Sequence, residues 1–197
     1  MMYKKLAGLA LIVCTTMSFS TIERTVYKAA TSESIVEWVG YKTAGAHNGT
    51  IGIKEGFLLF EEDQIIGGEF TIDMSSIEVL DTQNKKLLKH LKSDDFFDVE
   101  KFSTAKFSIS ESSLETGKTI LKGQLTIKGI TQEIQIPVSV TKSEKGRMIL
   151  ESETFKIDRT KFNITYKSKT IFNNLKDKFI HDKFDMKVKV VLDMIAK

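Results

Sequence analysis

Gly123-Gln-Leu-Thr-Ile-Lys-Gly-Ile-Thr-Gln-Glu-Ile-Gln-Ile-Pro-Val-Ser-Val140 is the stretch on which the fold turns. Leu125 and Ile127 alternate with Gln124, Thr126 and Lys128; after a break, Ile134, Ile136, Val138 and Val140 alternate with Glu133, Gln135, Pro137 and Ser139. A period of two places the aliphatic groups on one face of a strand, the signature of an antiparallel sheet with one covered and one wet side. Gly129 tolerates the positive φ that a tight link between two such runs requires, so the stretch is a hairpin. Pro137 is the only proline in the chain. It cannot donate to a ladder, which predicts an edge position or a bulge in the second strand.

Working outward, the same alternation recurs. Ser34 to Tyr41 carries the only tryptophan, Trp38, and Gln64 to Val79 puts Phe70, Ile72 and Met74 on one parity. Further strands are predicted over Thr50–Lys54, Phe57–Glu61, Thr104–Ser110, Met148–Ile157 and Met186–Met194, with a turn at Gly45–Gly49. Phe57-Leu58-Leu59-Phe60 is apolar on both parities, so cover on both faces is expected. Only Asp81 to Leu91 changes period, with capping residues followed by Leu87, Leu88 and Leu91 at helical spacing, and Phe96-Phe97 behind it suits a plug at a barrel end. Between Thr160 and Asp182, Ile171, Phe172 and Leu175 suggest a further helical turn or two. About eight strands result, the number at which a closed antiparallel barrel leaves room for side chains or one small ligand.

Composition removes several function classes. Lys plus Arg number 29 against 26 Asp plus Glu, interspersed rather than clustered, which argues against nucleic acid as a partner. Lys4 and Lys5 precede the apolar run Leu6 to Cys14, and Ser18 and Ser20 supply small residues for cleavage, so residues 1–20 read as a secretory leader too short to serve as a membrane span. Cleavage near Ser20 predicts a periplasmic or secreted protein; the alternative is lipidation of Cys14, the one cysteine, although Val13 is larger than the residue normally preceding a lipidated cysteine. Residues 21–32, polar and aperiodic, read as a linker, and residues 33–197 as one barrel domain.

Catalytic and metal motifs are absent from the pattern. His47, His90 and His181 lie far apart in the chain, and no nucleophile elbow or phosphate-cradling loop occurs, so neither a metal site nor an enzyme is expected. Asp73, Asp95 and Asp158 are the acids that could form an acid–base pair, and turn caps or ion pairs explain such residues equally well. Arg159 shares strand parity with Phe155 and Ile157, so its stem starts on the apolar side if the strand stays regular; pairing with a carboxylate, snorkelling to a rim and meeting a polar ligand head are the open alternatives.

Four motifs in order, Gly67–Ile77, Leu87–Val99, Gly123–Thr131 and Phe155–Ile164, together with Trp38, His47-Asn48-Gly49 and the closing strand, resemble the YceI-like family over essentially all of the chain after the leader. The resemblance implies a mainly β, lipocalin-like, antiparallel eight-stranded barrel with one or two short helices. It also implies a binding or carrier role for a long-chain amphiphile (a polyisoprenoid, isoprenoid quinone or fatty-acid derivative) held inside. Ser103 and Asn163 stand where the family usually has proline and glycine, so those turns are expected to differ. The competing class is a structural or stress-response partner protein with a filled barrel. Parity and size nominate Trp38, Phe70, Ile72, Phe107, Leu125, Ile136, Phe155, Ile157 and Phe162 as the lining, with His47 and Arg159 at the head group. No cofactor is expected beyond a bound isoprenoid or fatty-acid-type lipid, and the oligomeric state stays open, a homodimer included.

Overall fold

Alternating sequence becomes a closed antiparallel sheet in the structure, a computed structural model that describes residues 23–62, 64–83, 85–144 and 146–196. The expected leader, residues 1–20, and Cys14 lie outside the described residues. In chain order the elements are β1 (Arg24–Ala29), β2 (Ile35–Lys42), β3 (Gly45–Glu61), β4 (Gln64–Val79), α1 (Lys85–Lys92), β5 (Thr104–Glu115), β6 (Lys118–Ile127), β7 (Ile130–Lys142), β8 (Met148–Ser152), β9 (Phe155–Asp158) and β10 (Lys183–Ala196). These strands build eight staves, because two staves are each made of two pieces. β1 and β2 both lie between β3 and β10, interrupted by a 3₁₀ turn at Thr31–Glu33, and β8 and β9 both pair with β10. The β8–β10 pairing closes the ring into an eight-stranded barrel.

β6 and β7 pair as the alternation predicts, Leu121 facing Ile136 and Thr126 facing Thr131. Their two-residue turn has φ 49° at Lys128 and 74° at Gly129, the pair of positive angles that matches the twist of a hairpin. Pro137 reveals where the wall weakens. β7 pairs with β8 only from Val138 to Lys142, and among the described residues no ladder joins Ile130–Pro137 to β9. The Pro137 carbonyl accepts from Glu153 N at 2.9 Å, so its missing N–H faces the side on which β8 has just ended. β7 is therefore an inner strand in its second half and a local edge in its first, as a strand proline requires.

Several expectations are corrected. Arg24–Ala29 is not linker: Tyr27 and Ala29 are buried, and the segment is paired on both sides. Six residues with two inward side chains carry little pattern of their own, and the neighbours supply the order. Residues 45–49 form the start of β3 rather than a turn, and β3 is one strand with register shifts between Thr50 and Gly52 and between Ile53 and Glu55. Inward positions change from Gly49, Ile51 and Ile53 to Gly56, Leu58 and Phe60, because a bulge adds a residue and inverts parity. Phe57 stays 38% exposed, so this run is covered on one face only. The strand predicted over Met148–Ile157 breaks after Ser152, and residues 163–182 form turns, with Ile171 and Phe172 exposed. Asn163 adopts φ 58°, the left-handed conformation that glycine takes readily and that asparagine tolerates among the other residues.

Candidate functional site

Inward-facing side chains leave a cavity of two lobes. Lobe 1, of about 110 Å³, is walled by strand residues from around the barrel, among them Ile53, Met74, Leu121, Val138, Leu150 and Val190. Its one polar wall residue, Ser152, accepts from Val188 N at 2.8 Å. Lobe 2, of about 190 Å³, lies towards α1 and takes Leu87, His90 and Leu91 from that helix. Ile51, Phe97, Phe184 and Met186 belong to both walls and form the waist. Phe96 and Phe97, the expected plug, are buried edge to face with centroids 5.3 Å apart; Phe96 lines lobe 2.

Three wall aromatics pack directly over glycines. A Cβ at Gly49 would stand 2.6 Å from the Trp38 ring and 1.8 Å from Glu78 O; one at Gly56 would stand 2.2 Å from Phe70, and one at Gly123 would stand 2.8 Å from Phe107. Such distances are not available to real atoms, so each ring occupies the space a side chain would otherwise fill. Cavity shape is thus set by glycines on the neighbouring strands.

Among the nominated residues, Phe70, Ile72, Phe107, Leu125, Ile136, Phe155 and Ile157 line lobe 1, while Trp38, His47 and Arg159 line lobe 2. Phe162 is the exception. It is buried to 1% exposure, but its place is beside an outer cleft between β7 and the β9 segment, not on either lobe. Strand parity stops at Asp158, where a 3₁₀ turn over Arg159–Phe162 begins, capped by the Asp158 side chain accepting from Thr160 N. That turn, rather than the parity of a continuing strand, buries Arg159. Ile134, Phe155 and Ile157 border both lobe 1 and the cleft, so at this seam the wall is one residue thick.

Polar groups of lobe 2 are largely engaged. The Arg159 guanidinium donates to Ile164 O at 2.7 Å, Ile180 O at 2.9 Å and His181 O at 3.1 Å, with Asp182 Oδ1 at 3.5 Å. Burial pulls its pKa down, opposed by Asp182 and Asp158. Asp182 lies below the usual carboxylate range: burial raises it, and hydrogen bonds from Ser168 and Thr170 together with the Arg159 charge outweigh that. His47 Nε2 meets Lys42 Nζ at 2.9 Å and its Nδ1 meets Asp81 Oδ2 at 2.8 Å. An ammonium only donates, so Nε2 accepts and Nδ1–H donates, which leaves neither nitrogen for a ligand. Asp81 is held low, first by this histidine.

His47, His90 and His181, remote in the chain, all line lobe 2, a convergence that sequence separation hides. Among the described residues no group of three or more His, Cys, Asp or Glu is placed to hold a metal ion. Asp73 and Asp158 accept from main-chain N–H groups two residues on, Asp95 is exposed, and none of the three lines either lobe. The walls offer apolar contact and a few fixed hydrogen-bonding groups, an arrangement for holding a molecule. No described helix is long and apolar enough to cross a membrane.

Comparison with known proteins agrees with this geometry. The family model described as a YceI-like domain matches residues 27–192. A UPF0312 protein of Photorhabdus laumondii is 33% identical over 86 residues, 44% of this chain and 44% of that protein, so the alignment spans less than half of the curated relative. Among solved structures, BcnA of Burkholderia cenocepacia superposes with TM-score 0.65 at 20% identity, covering 83% of this chain and 98% of that one. A polyisoprenoid-binding domain from Saccharophagus degradans, implicated in plant cell wall breakdown, gives TM-score 0.62 at 13% identity, covering 89% and 100%. At these identities the likeness is one of fold.

Proposed function

We propose, from the premise that this chain belongs to the YceI-like domain family, that its barrel is a carrier whose interior holds the chain of a polyisoprenoid, isoprenoid quinone or fatty-acid-type amphiphile. The observation that carries the reading is the apolar wall of lobe 1, which continues into lobe 2 through the four apolar residues the two lobes share. Burying an alkyl chain there yields about 0.8 kcal/mol per CH₂, enough for useful affinity once the ordering of the chain is subtracted. The polyisoprenoid binding named for the Saccharophagus degradans neighbour supports the same use of this fold. A filled barrel serving only as a partner surface is disfavoured by the volume of the two lobes. In this reading the protein is a binding protein and not an enzyme, and it works in the periplasm or outside the cell after cleavage near Ser20.

Trp38, the sole tryptophan, reports directly on lobe 2. Titration with a long-chain isoprenoid quinone is expected to change its fluorescence saturably at micromolar ligand. A flat titration would remove lobe 2 from the binding site.

A further inference from the structure

Among the described residues, two buried side-chain polar atoms have no hydrogen-bond partner: Trp38 Nε1 and His90 Nε2. Both residues line lobe 2. Buried polar groups are almost always paired, and two exceptions on residues that line the same lobe call for a physical explanation. Neither is a flexible side chain that happens to be turned away. Trp38 is 8% exposed, and its ring is wedged over Gly49, where even a Cβ would collide with the Cε2 atom beside Nε1. The His90 ring is held edge-on between Phe96, centroid 5.7 Å away, and Tyr166, 4.4 Å away.

We infer that these two atoms form a head-group site, in which Trp38 Nε1–H and His90 Nε2 bind an uncharged oxygen of the carried molecule, such as a carbonyl, while its chain extends through the waist into lobe 1. The inference rests on the carrier reading and adds the chemistry and orientation of the head. An indole N–H only donates, so the ligand must present an acceptor; imidazole nitrogen donates or accepts according to tautomer and accommodates the same oxygen or its hydroxyl form. An anionic head is disfavoured by what the other groups already do. Arg159, the buried cation of the lobe, is held by three carbonyls and faces Asp182, and His47 is held between Lys42 and Asp81. The one cation of the lobe wall outside an ion pair, Lys42, is exposed and hydrogen-bonded to His47, so a phosphate held deeper, at Trp38 and His90, would be desolvated without a buried counter-charge.

The test compares three ligands by displacement of a pyrene-labelled hydrocarbon from the whole protein: a long-chain isoprenoid quinone, squalene as a chain without oxygen, and a prenyl phosphate. Trp38→Phe keeps an aromatic, if smaller, side chain and removes the donor; His90→Phe replaces the imidazole by a ring without nitrogen at the second site, so the conclusion does not depend on either variant alone. For each folded variant the quinone is expected to lose about tenfold in affinity, the scale of one buried ligand oxygen left without its hydrogen-bond partner, with squalene unchanged, and in the parent the prenyl phosphate binds more weakly than the quinone. Equal losses for quinone and squalene, no loss for either, or parent binding of the phosphate as tight as the quinone overturns the head-group site and leaves the carrier standing. No binding of the pyrene hydrocarbon by the parent overturns the carrier reading itself.

Discussion

Ile136→Asp is expected to lower the affinity for a long-chain quinone at least about a hundredfold while the barrel still folds, because a carboxylate on the lobe 1 wall has to be stripped of water beside an alkyl chain. Ile136 is 8% exposed, faces Leu121 across the β6–β7 ladder, and looks into a lobe with no unpaired polar group on its wall. Phe70→Asp, on the same lobe's wall but on β4, should behave alike. Gln135→Asp supplies the control: it adds the same charge one residue away on the exposed face of β7 and should leave affinity within about twofold, the ordinary range of surface substitutions. Circular dichroism and thermal melts establish folding, and Trp38 fluorescence reads binding. A folded Ile136→Asp protein that binds like the parent would place the chain outside the barrel and bring the partner-protein reading forward.

Arg159→Met is expected to have the largest effect on stability, about 3–5 kcal/mol, measured by urea unfolding. Methionine keeps most of the stem's volume but leaves the carbonyls of Ile164, Ile180 and His181 without their donor and Asp182 without its cation. These carbonyls tie the long turn region after β9 back onto the barrel end, so its loosening should also open lobe 2. Arg159→Lys restores the charge without the planar fork and should recover only part of the loss. The pH dependence has a definite sign. Because Asp182 is depressed below its ordinary pKa, the stability it contributes is present above that ordinary value and is lost as pH falls through the lower folded-state value. A loss under about 1 kcal/mol for Arg159→Met would show that water replaces the guanidinium and that the turn region is held by other contacts.

The barrel was legible in the chain because period-two alternation survives wherever one face is covered, as in β4, β6 and β7. It failed where a local event reset the phase. The shift between Ile53 and Glu55 inverts β3, and the 3₁₀ turn at Arg159 takes Phe162 off the parity that nominated it. β1 was unreadable for a different reason: its order comes from β3 and β10 on either side, not from its own six residues. The lobe 1 wall followed from parity and size, since those two properties place a large apolar side chain inside a barrel. The polar end of the cavity followed only in part: His47 and Arg159, the two residues nominated for it, line lobe 2, but His90 and His181 line it as well. His90 reaches it from a helix and His181 from the turn region before β10, a convergence made by tertiary closure. Nor does a sequence show that His47 is already engaged while Trp38 Nε1 is not.

Whether this barrel carries a lipid is tested most directly by native mass spectrometry of the protein purified without detergent from cells that express it, followed by extraction of the bound material. The account predicts a folded chain with added mass that extracts as a long-chain amphiphile with an uncharged oxygen head, and loss of that mass in Ile136→Asp. A bare chain from every preparation, or an adduct retained undiminished by the folded Ile136→Asp protein, would contradict it.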